Sequence, residues 1–221
     1  MNANSLHCYY CFDVLVAHLN GTSEPTPYFL EDDDAPAPQS PLFVTWSTVE
    51  SDGSLPLRGC IGNFSPLPLD AGLKEYALIS AVHDRRFAPI TASELPALHV
   101  GVSLLSDFDD CADALDWTLG EHGIRAFYRP RPGSRDTAER SATFLPEVPT
   151  AQGWTKEKTL IALAHKALSG RGGMHPVKYE RAVAEIRRLQ RYTSTKAGVS
   201  WAEYLEWKQR ESDGSPSASS E

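Results

Sequence analysis

The chain has 221 residues, 41% of them apolar and 10% aromatic, with a formal net charge of −8. That is enough apolar material for one large domain or two small ones, and no run of eighteen apolar residues is present to supply a helical membrane span. Much of the excess acid sits in Glu31-Asp32-Asp33-Asp34 and in Glu211, Asp213 and Glu221, so the body is near neutral and lacks the basic stripe that sequence-independent nucleic-acid binding needs.

Met1-Asn2-Ala3-Asn4-Ser5 has neither the basic flank nor the apolar core of a secretory signal, and the expected location is intracellular, in cytoplasm or nucleus. A first helix is predicted from Ser5 to Leu19, capped by Asn4 or Ser5 and ended by Gly21. Cys8, Cys11, Phe12, Leu15 and Leu19 form its apolar stripe. Cys8 and Cys11, with His7 before them, have the spacing of half a zinc site, but Cys60 and Cys111 are isolated and supply no second pair. Buried thiols in a core stripe are the expected reading, with no metal and no cofactor.

Pro25 to Pro41 reads as an acidic, proline-rich loop. Leu42-to-Val49 is β-branched and aromatic, hence a strand, and Asp52-Gly53 turns the chain back into a second strand, Leu57-to-Phe64. Ser65-Pro66-Leu67-Pro68 is expected to break that strand before a helix from Asp70 to Val82, which presents Leu73, Tyr76, Ala77 and Ser80 on one side. His83-Asp84-Arg85-Arg86-Phe87 closes the helix. A strand from Leu98 to Leu105 follows, then a hairpin of Ile124-to-Tyr128 with Ser141-to-Leu145 around a loop bearing Arg125, Arg129, Arg131, Arg135 and Arg140. Thr155 caps a helix to Leu168 whose face uses Leu160, Ile161, Leu163, Ala164 and Leu168. Gly170-Arg171-Gly172-Gly173 reads as a flexible link. Ala184-to-Thr193 is ambiguous, because its Ile186-Leu189-Tyr192 spacing of three is locally helical. Ser200 and Glu203 form a capping box for a last helix, Trp201 to Arg210. The serine-rich tail from Glu211 to Glu221 is expected to be disordered.

The most informative stretch is Leu57-Arg58-Gly59-Cys60-Ile61-Gly62, a cation, a thiol and two glycines within a strand. Strict alternation puts Arg58 and Cys60 on the same face, about 6–7 Å apart along the strand. Glycine within a strand often marks close approach of a ligand or another backbone.

LRGCIG resembles the signature of the AMME chromosomal region protein family (the AMMECR domain), and the likeness runs from His7 to Arg210. It includes Tyr9-to-Leu15, Pro41-to-Trp46, Ser80-Ala81 with Asp84-to-Pro89, Val102-to-Leu105, His122-Gly123-Ile124, Thr143-to-Val148 and Gly153-Trp154. Ala88 stands where the family usually has proline, and Glu31-to-Ser40 looks like a local insertion. The resemblance implies an α+β fold of two lobes, antiparallel sheets flanked by helices, with a cleft near the signature strand. The larger lobe would take residues 1–40 and 96–210 and the smaller lobe 41–95. It also favours a strand at Ala184-to-Thr193, and it implies no particular reaction.

Three readings of the signature are open. In the first, Cys60 is a nucleophile, since a neighbouring guanidinium such as Arg58 lowers a cysteine pKa. Backbone N–H groups at Gly59 and Gly62 would form an oxyanion pocket, and His83 or His122 would be the base. Alternatively, Cys60 is only the largest side chain that fits between closely packed layers. In the second, Arg58 with Arg85 or Arg86 binds the phosphate or carboxylate of a small anionic ligand, and Asp84 orients one arginine. In the third, the chain is a non-enzymatic adaptor whose partner meets Trp46, Trp117, Trp154, Trp201 or Trp207, or the arginine-rich loop.

Overall fold

A computed structural model of the chain describes residues 1–30, 36–128, 139–168 and 178–214. Its elements are, in order, α1 (Ser5–Asn20), β1 (Gln39–Thr48), β2 (Leu57–Pro68), α2 (Leu69–Val82), a short 3-10 helix (Ala92–Ala97), β3 (Leu98–Asp110) and β4 (Gly123–Tyr128). There follow β5 (Arg140–Phe144), α3 (Glu147–Ala151), α4 (Lys156–Leu168), α5 (Tyr179–Ala184), β6 (Ile186–Ser200) and α6 (Trp201–Gly214). The fold class is α+β with antiparallel strand pairs, as expected. The acidic run Glu31–Asp34, Arg129, Arg131, Arg135, the link Gly170–Gly173 and the tail beyond Gly214 lie outside the described residues.

The chain forms two compact units, Met1–Leu105 with Thr195–Glu221, and Ser106–Ser194. Their limits are not those of the two lobes expected from the sequence, because residues 41–95 fall wholly inside the first unit. Strands β3 and β6 each begin in one unit and finish in the other.

In the first unit the strand order is β2-β1-β3. Leu42, Val44 and Trp46 of β1 alternate onto a face that is closed to solvent, together with Val100 and Val102 of β3. Cys8, Cys11, Phe12 and Leu15 of α1 and Leu69, Leu73, Ala77 and Ala81 of α2 complete this core. Trp46 fills its middle and donates Nε1–H to the Ala77 carbonyl at 3.1 Å, so its one polar atom is satisfied inside α2. The cysteine stripe is therefore core, as its spacing suggested. Asn4 caps α1 by accepting the His7 N–H, and Gly21 ends the helix at φ 64°, a conformation that glycine adopts without strain. Phe12, Trp201, Tyr204 and Trp207 gather α6 onto α1. At this junction Asp13 is nearly buried, and its oxygens accept from Tyr204 Oη (2.7 Å), Lys208 Nζ (2.7 Å) and Tyr28 Oη (3.0 Å).

In the second unit the order is β6-β4-β5. Ile124, Ala126 and Tyr128 of β4 meet Leu160, Leu163 and Ala164 of α4, with Trp117, Ala142, Ala182 and Leu189 around them. Trp46 and Trp117 are thus core residues, and Trp154 packs edge-on to Phe144.

Two sequence expectations are corrected and one ambiguity is resolved. Strand β2 runs through Ser65-Pro66-Leu67-Pro68 rather than breaking there, because Ser40 and Gln39 still pair with Leu67 and Pro68 beyond a local irregularity. Residues 186–193, ambiguous by spacing, are the strand that the resemblance favoured, since Leu189 and Tyr192 pair across to Ala126 and Gly123 and are buried there. Helix α6 continues past Arg210 to Gly214, so Glu211, Ser212 and Asp213 are helical.

The Asp13 cluster gives a direct test. Tyr204→Phe removes one donor from a nearly buried carboxylate and should lower unfolding free energy by about 1.5–3 kcal/mol, read from urea denaturation. An unchanged midpoint would show that Tyr204 contributes packing alone.

Candidate functional site

The signature strand is not a regular ladder. Trp46 pairs with Gly59 and Ser47 with Leu57, so Arg58 is an extra residue between two paired positions, a β-bulge. Alternation does not run evenly through a bulge, and the rule that put Arg58 on the face of Cys60 fails at that point. The Arg58 guanidinium instead grips Glu94, with Nε at 2.8 Å from Oε2 and Nη2 at 3.2 Å from Oε1. Glu94 also accepts from the Thr91 backbone N–H at 2.8 Å. The Arg58 contact, then these Thr91 bonds, hold its carboxyl below the usual range despite partial burial. Arg58 is only 15% exposed, its Nη1 is buried with no hydrogen-bond partner among the described residues, and the Phe87 ring lies 6.0 Å from its centre.

Gly59 is required by sterics. A Cβ there would stand 2.1 Å from the Ser80 carbonyl oxygen and 4.0 Å from the Asp84 Cβ. Strand β2 and the last turn of α2 approach too closely for any side chain. Gly62 is excluded from substitution in the same way, by the Leu42 carbonyl and the Phe43 ring, each 2.3 Å from such a Cβ.

That close approach delivers Asp84 to the backbone of Cys60. Asp84 is buried and its Oδ2 accepts the Cys60 N–H at 3.0 Å. Arg86 closes the arrangement. Its Nε donates to Asp84 Oδ1 at 2.9 Å, and its Nη2 donates to Asp84 Oδ2 at 2.6 Å and to the Cys60 carbonyl at 3.1 Å. Both backbone groups of Cys60 that face away from β1 are thereby satisfied. Hydrogen bonding from Arg86, with smaller help from the two backbone N–H groups, takes the Asp84 carboxyl down to about 2. Asp84 in turn raises the Arg86 guanidinium pKa, with a further increment from Cys60 itself.

Cys60 is half-buried, in no disulfide, and lies opposite Thr45, whose Oγ1 donates to Sγ at 3.1 Å. The other thiols differ. Burial pushes Cys8 up to about 12 and Cys11 well above the ordinary thiol range, and burial together with Asp116 takes Cys111 up to about 11.

The structure thus brings together Arg58, Gly59, Cys60, Asp84 and Arg86, with Arg85 exposed beside them. The cation that the thiol influences is Arg86, while Arg58 is committed to Glu94. The Cys60 N–H, which lies between the two glycines expected to form an oxyanion pocket, is taken by Asp84. His83 is the exposed C-cap residue of α2. His122 belongs to the second unit, where its Nδ1 accepts the Thr118 N–H at 3.0 Å and fixes a local turn. Glu94, Phe87 and Thr45 were missed in the sequence. Glu94 alone had a legible signal, the Thr91-x-x-Glu94 capping spacing.

Two outcomes check this geometry. Because the folded pKa of Asp84 is depressed, its stabilisation is complete above the unfolded value near 4 and disappears as pH falls toward about 2. Asp84→Asn should therefore lose about 2 kcal/mol at pH 7 and far less at pH 2.5, by denaturant titration at each pH. Equal losses at both would remove the ion pair from the account. Second, iodoacetamide at pH 8 should modify Cys60 ahead of Cys111 and leave Cys8 and Cys11 unmodified in the native protein, by peptide mass spectrometry. Labelling that begins at Cys111 would contradict this order of reactivity.

Comparison with known proteins agrees with this arrangement of motifs. The AMMECR1 family profile matches residues 8–197. An uncharacterised protein of Arabidopsis thaliana is 43% identical over 208 residues, spanning 94% of this chain and 90% of that one. An uncharacterised protein of Kluyveromyces lactis is 41% identical over 177 residues, spanning 75% and 74%. A crystal structure of an uncharacterised protein from Pyrococcus horikoshii superposes with a TM-score of 0.68 at 22% identity, covering 88% of this chain and 89% of that one, and shares the fold.

Proposed function

The chain belongs to the AMMECR1 family, and on that footing we propose that its first unit binds a small phosphorylated or carboxylated ligand where Arg86 lies beside Cys60. One observation carries the reading. The Arg86 side chain is 54% exposed, yet it is fixed at two nitrogens by Asp84 and the Cys60 carbonyl. Guanidinium has five N–H donors, so the donors of Nη1 remain for an incoming oxyanion, already held in place. Preorganised donors lose less entropy on binding than a free arginine would. Arg58, Arg85 and Arg86 against Asp84 and Glu94 leave the patch net positive.

In this reading Arg58 supports the site from behind and does not touch the ligand. Gly59 serves by letting α2 approach, and Gly62 by letting Phe43 cover β2. A thiol-dependent reaction at the same place is favoured by the half-buried position of Cys60 and its Thr45 hydrogen bond. His83 is then the base from the same unit as the thiol.

The test uses pyrophosphate and citrate as probes in thermal-shift titration of the full chain. Both should raise the melting temperature in a saturable way, as any ligand that binds only the folded form does. Arg86→Gln should abolish that rise, Arg58→Gln should lower the starting temperature while keeping the rise, and Cys60→Ser should keep both. A rise that survives Arg86→Gln, or none in the wild type, would overturn the proposal.

A further inference from the structure

The second unit contains a cavity with chemistry of its own. Its volume is about 370 Å³, in the range of pockets that hold small molecules. It lies where β3 ends and the chain turns away from β6. The Cys111 N–H donates to the Leu189 carbonyl at 2.9 Å, which fastens that turn to the strand. Ala114, Val183, Ile186 and Leu189 supply an apolar wall. Burial, with Asp116, takes the Cys111 thiol up to about 11, so it is a neutral part of the lining at ordinary pH. The charged lining is Asp110 and Asp113 from the turn, with Arg187 and Arg188 from β6.

A regular strand would not turn two consecutive arginines toward one space, because neighbouring side chains alternate faces. Here Phe127 pairs with Arg188 and the next residue, Tyr128, pairs with Ile186, so Arg187 is an extra residue and β6 is bulged. A bulge re-aims side chains, and Arg187 and Arg188 both reach the cavity. Each arginine keeps donors in reserve. Arg188 donates Nε–H to Asp110 Oδ1 at 2.7 Å, which leaves its Nη groups to face outward. Arg187 forms an ion pair with Glu139 at 3.6 Å, too long for a hydrogen bond. On the side of the turn, Asp113 Oδ1 accepts the Leu115 N–H at 2.7 Å, and Oδ2 is left to accept from a ligand.

The lining therefore has two cations and two carboxylates beside an apolar wall, with no net charge. A ligand of a single sign would be attracted by one pair and repelled by the other, whereas a zwitterion is matched at both ends. We infer that this cavity binds a free α-amino acid with an apolar side chain. Its carboxylate accepts from the guanidinium groups of Arg187 and Arg188, a pairing that arginine geometry suits. Its ammonium donates to Asp113, and its side chain rests against Val183 and Ile186. The claim is independent of the Arg86 patch, which belongs to the first unit and recognises an oxyanion alone.

The experiment is isothermal titration and ligand-observed NMR on the full chain with three probes. L-leucine bears both charges, N-acetyl-L-leucine lacks the ammonium, and L-leucinamide lacks the carboxylate. The wild type should bind leucine saturably and at least about tenfold more tightly than either derivative. Arg187→Gln, at an exposed side chain, should weaken leucine at least about tenfold with folding intact. Asp113→Asn keeps an acceptor for the Leu115 N–H and should weaken leucine to a similar degree. Val183→Trp should fill the space and do the same, and Arg187→Gln decides the matter if the larger side chain disturbs α5. Arg86→Gln should bind leucine as the wild type does, which separates this site from the patch. No saturable binding of leucine, equal affinity for leucine and either derivative, full affinity in Arg187→Gln, or loss of binding in Arg86→Gln would overturn the inference.

Discussion

The close approach of β2 to the end of α2 at Gly59 is the constraint on which the signature region depends. With no side chain there, the Ser80 carbonyl comes near enough to forbid even a Cβ. The chain leaving α2 then places Asp84 against the Cys60 amide and Arg86 across both. A buried carboxylate is expensive unless it is fully hydrogen-bonded. Here the compensation comes from one guanidinium and two backbone donors, and the arginine that supplies it keeps part of its surface in water. Structural role and binding capacity thus belong to one side chain at different nitrogens.

Much of this architecture was legible. Helices α1, α2, α4 and α6, the first hairpin and the cysteine stripe of α1 follow from period and punctuation, whereas the short helices α3 and α5 left no such trace. What was not legible lies where the backbone leaves regular geometry. The bulge at Arg58 depends on how β1 lies against β2, and the one-dimensional pattern of β2 contains no trace of it. Alternation therefore paired Arg58 with Cys60, when the guanidinium nearest in effect belongs to Arg86, 26 positions on from the thiol. Ser65 to Pro68 read as a breaker, but the strand persists because β1 still offers partners at Ser40 and Gln39. At 186–193 the apolar spacing of three suited a helix. The strand won because Leu189 and Tyr192 are required at buried positions opposite β4.

His7 shows another limit of sequence reading. Beside a C-x-x-C pair it suggests metal, yet its imidazole is half of a helix cap with its own backbone partner. The thiols that suggested a zinc site face the first core and are shielded by it. Residue type alone did not distinguish these roles. The deciding quantity is which ring nitrogen is already engaged, and that follows from the fold at Asn4.

The engagement of Cys60 by Asp84 and Arg86 also bears on how the molecule behaves toward copies of itself. Strand β2 is outermost in its sheet, and an outermost strand with open amides and carbonyls is a template for intermolecular β-pairing. At Cys60 both outward groups are spent internally, and a charged, half-exposed guanidinium lies across the place where a foreign strand would have to dock. The contacts that fix the thiol thereby also guard this rim of the sheet against self-association and aggregation.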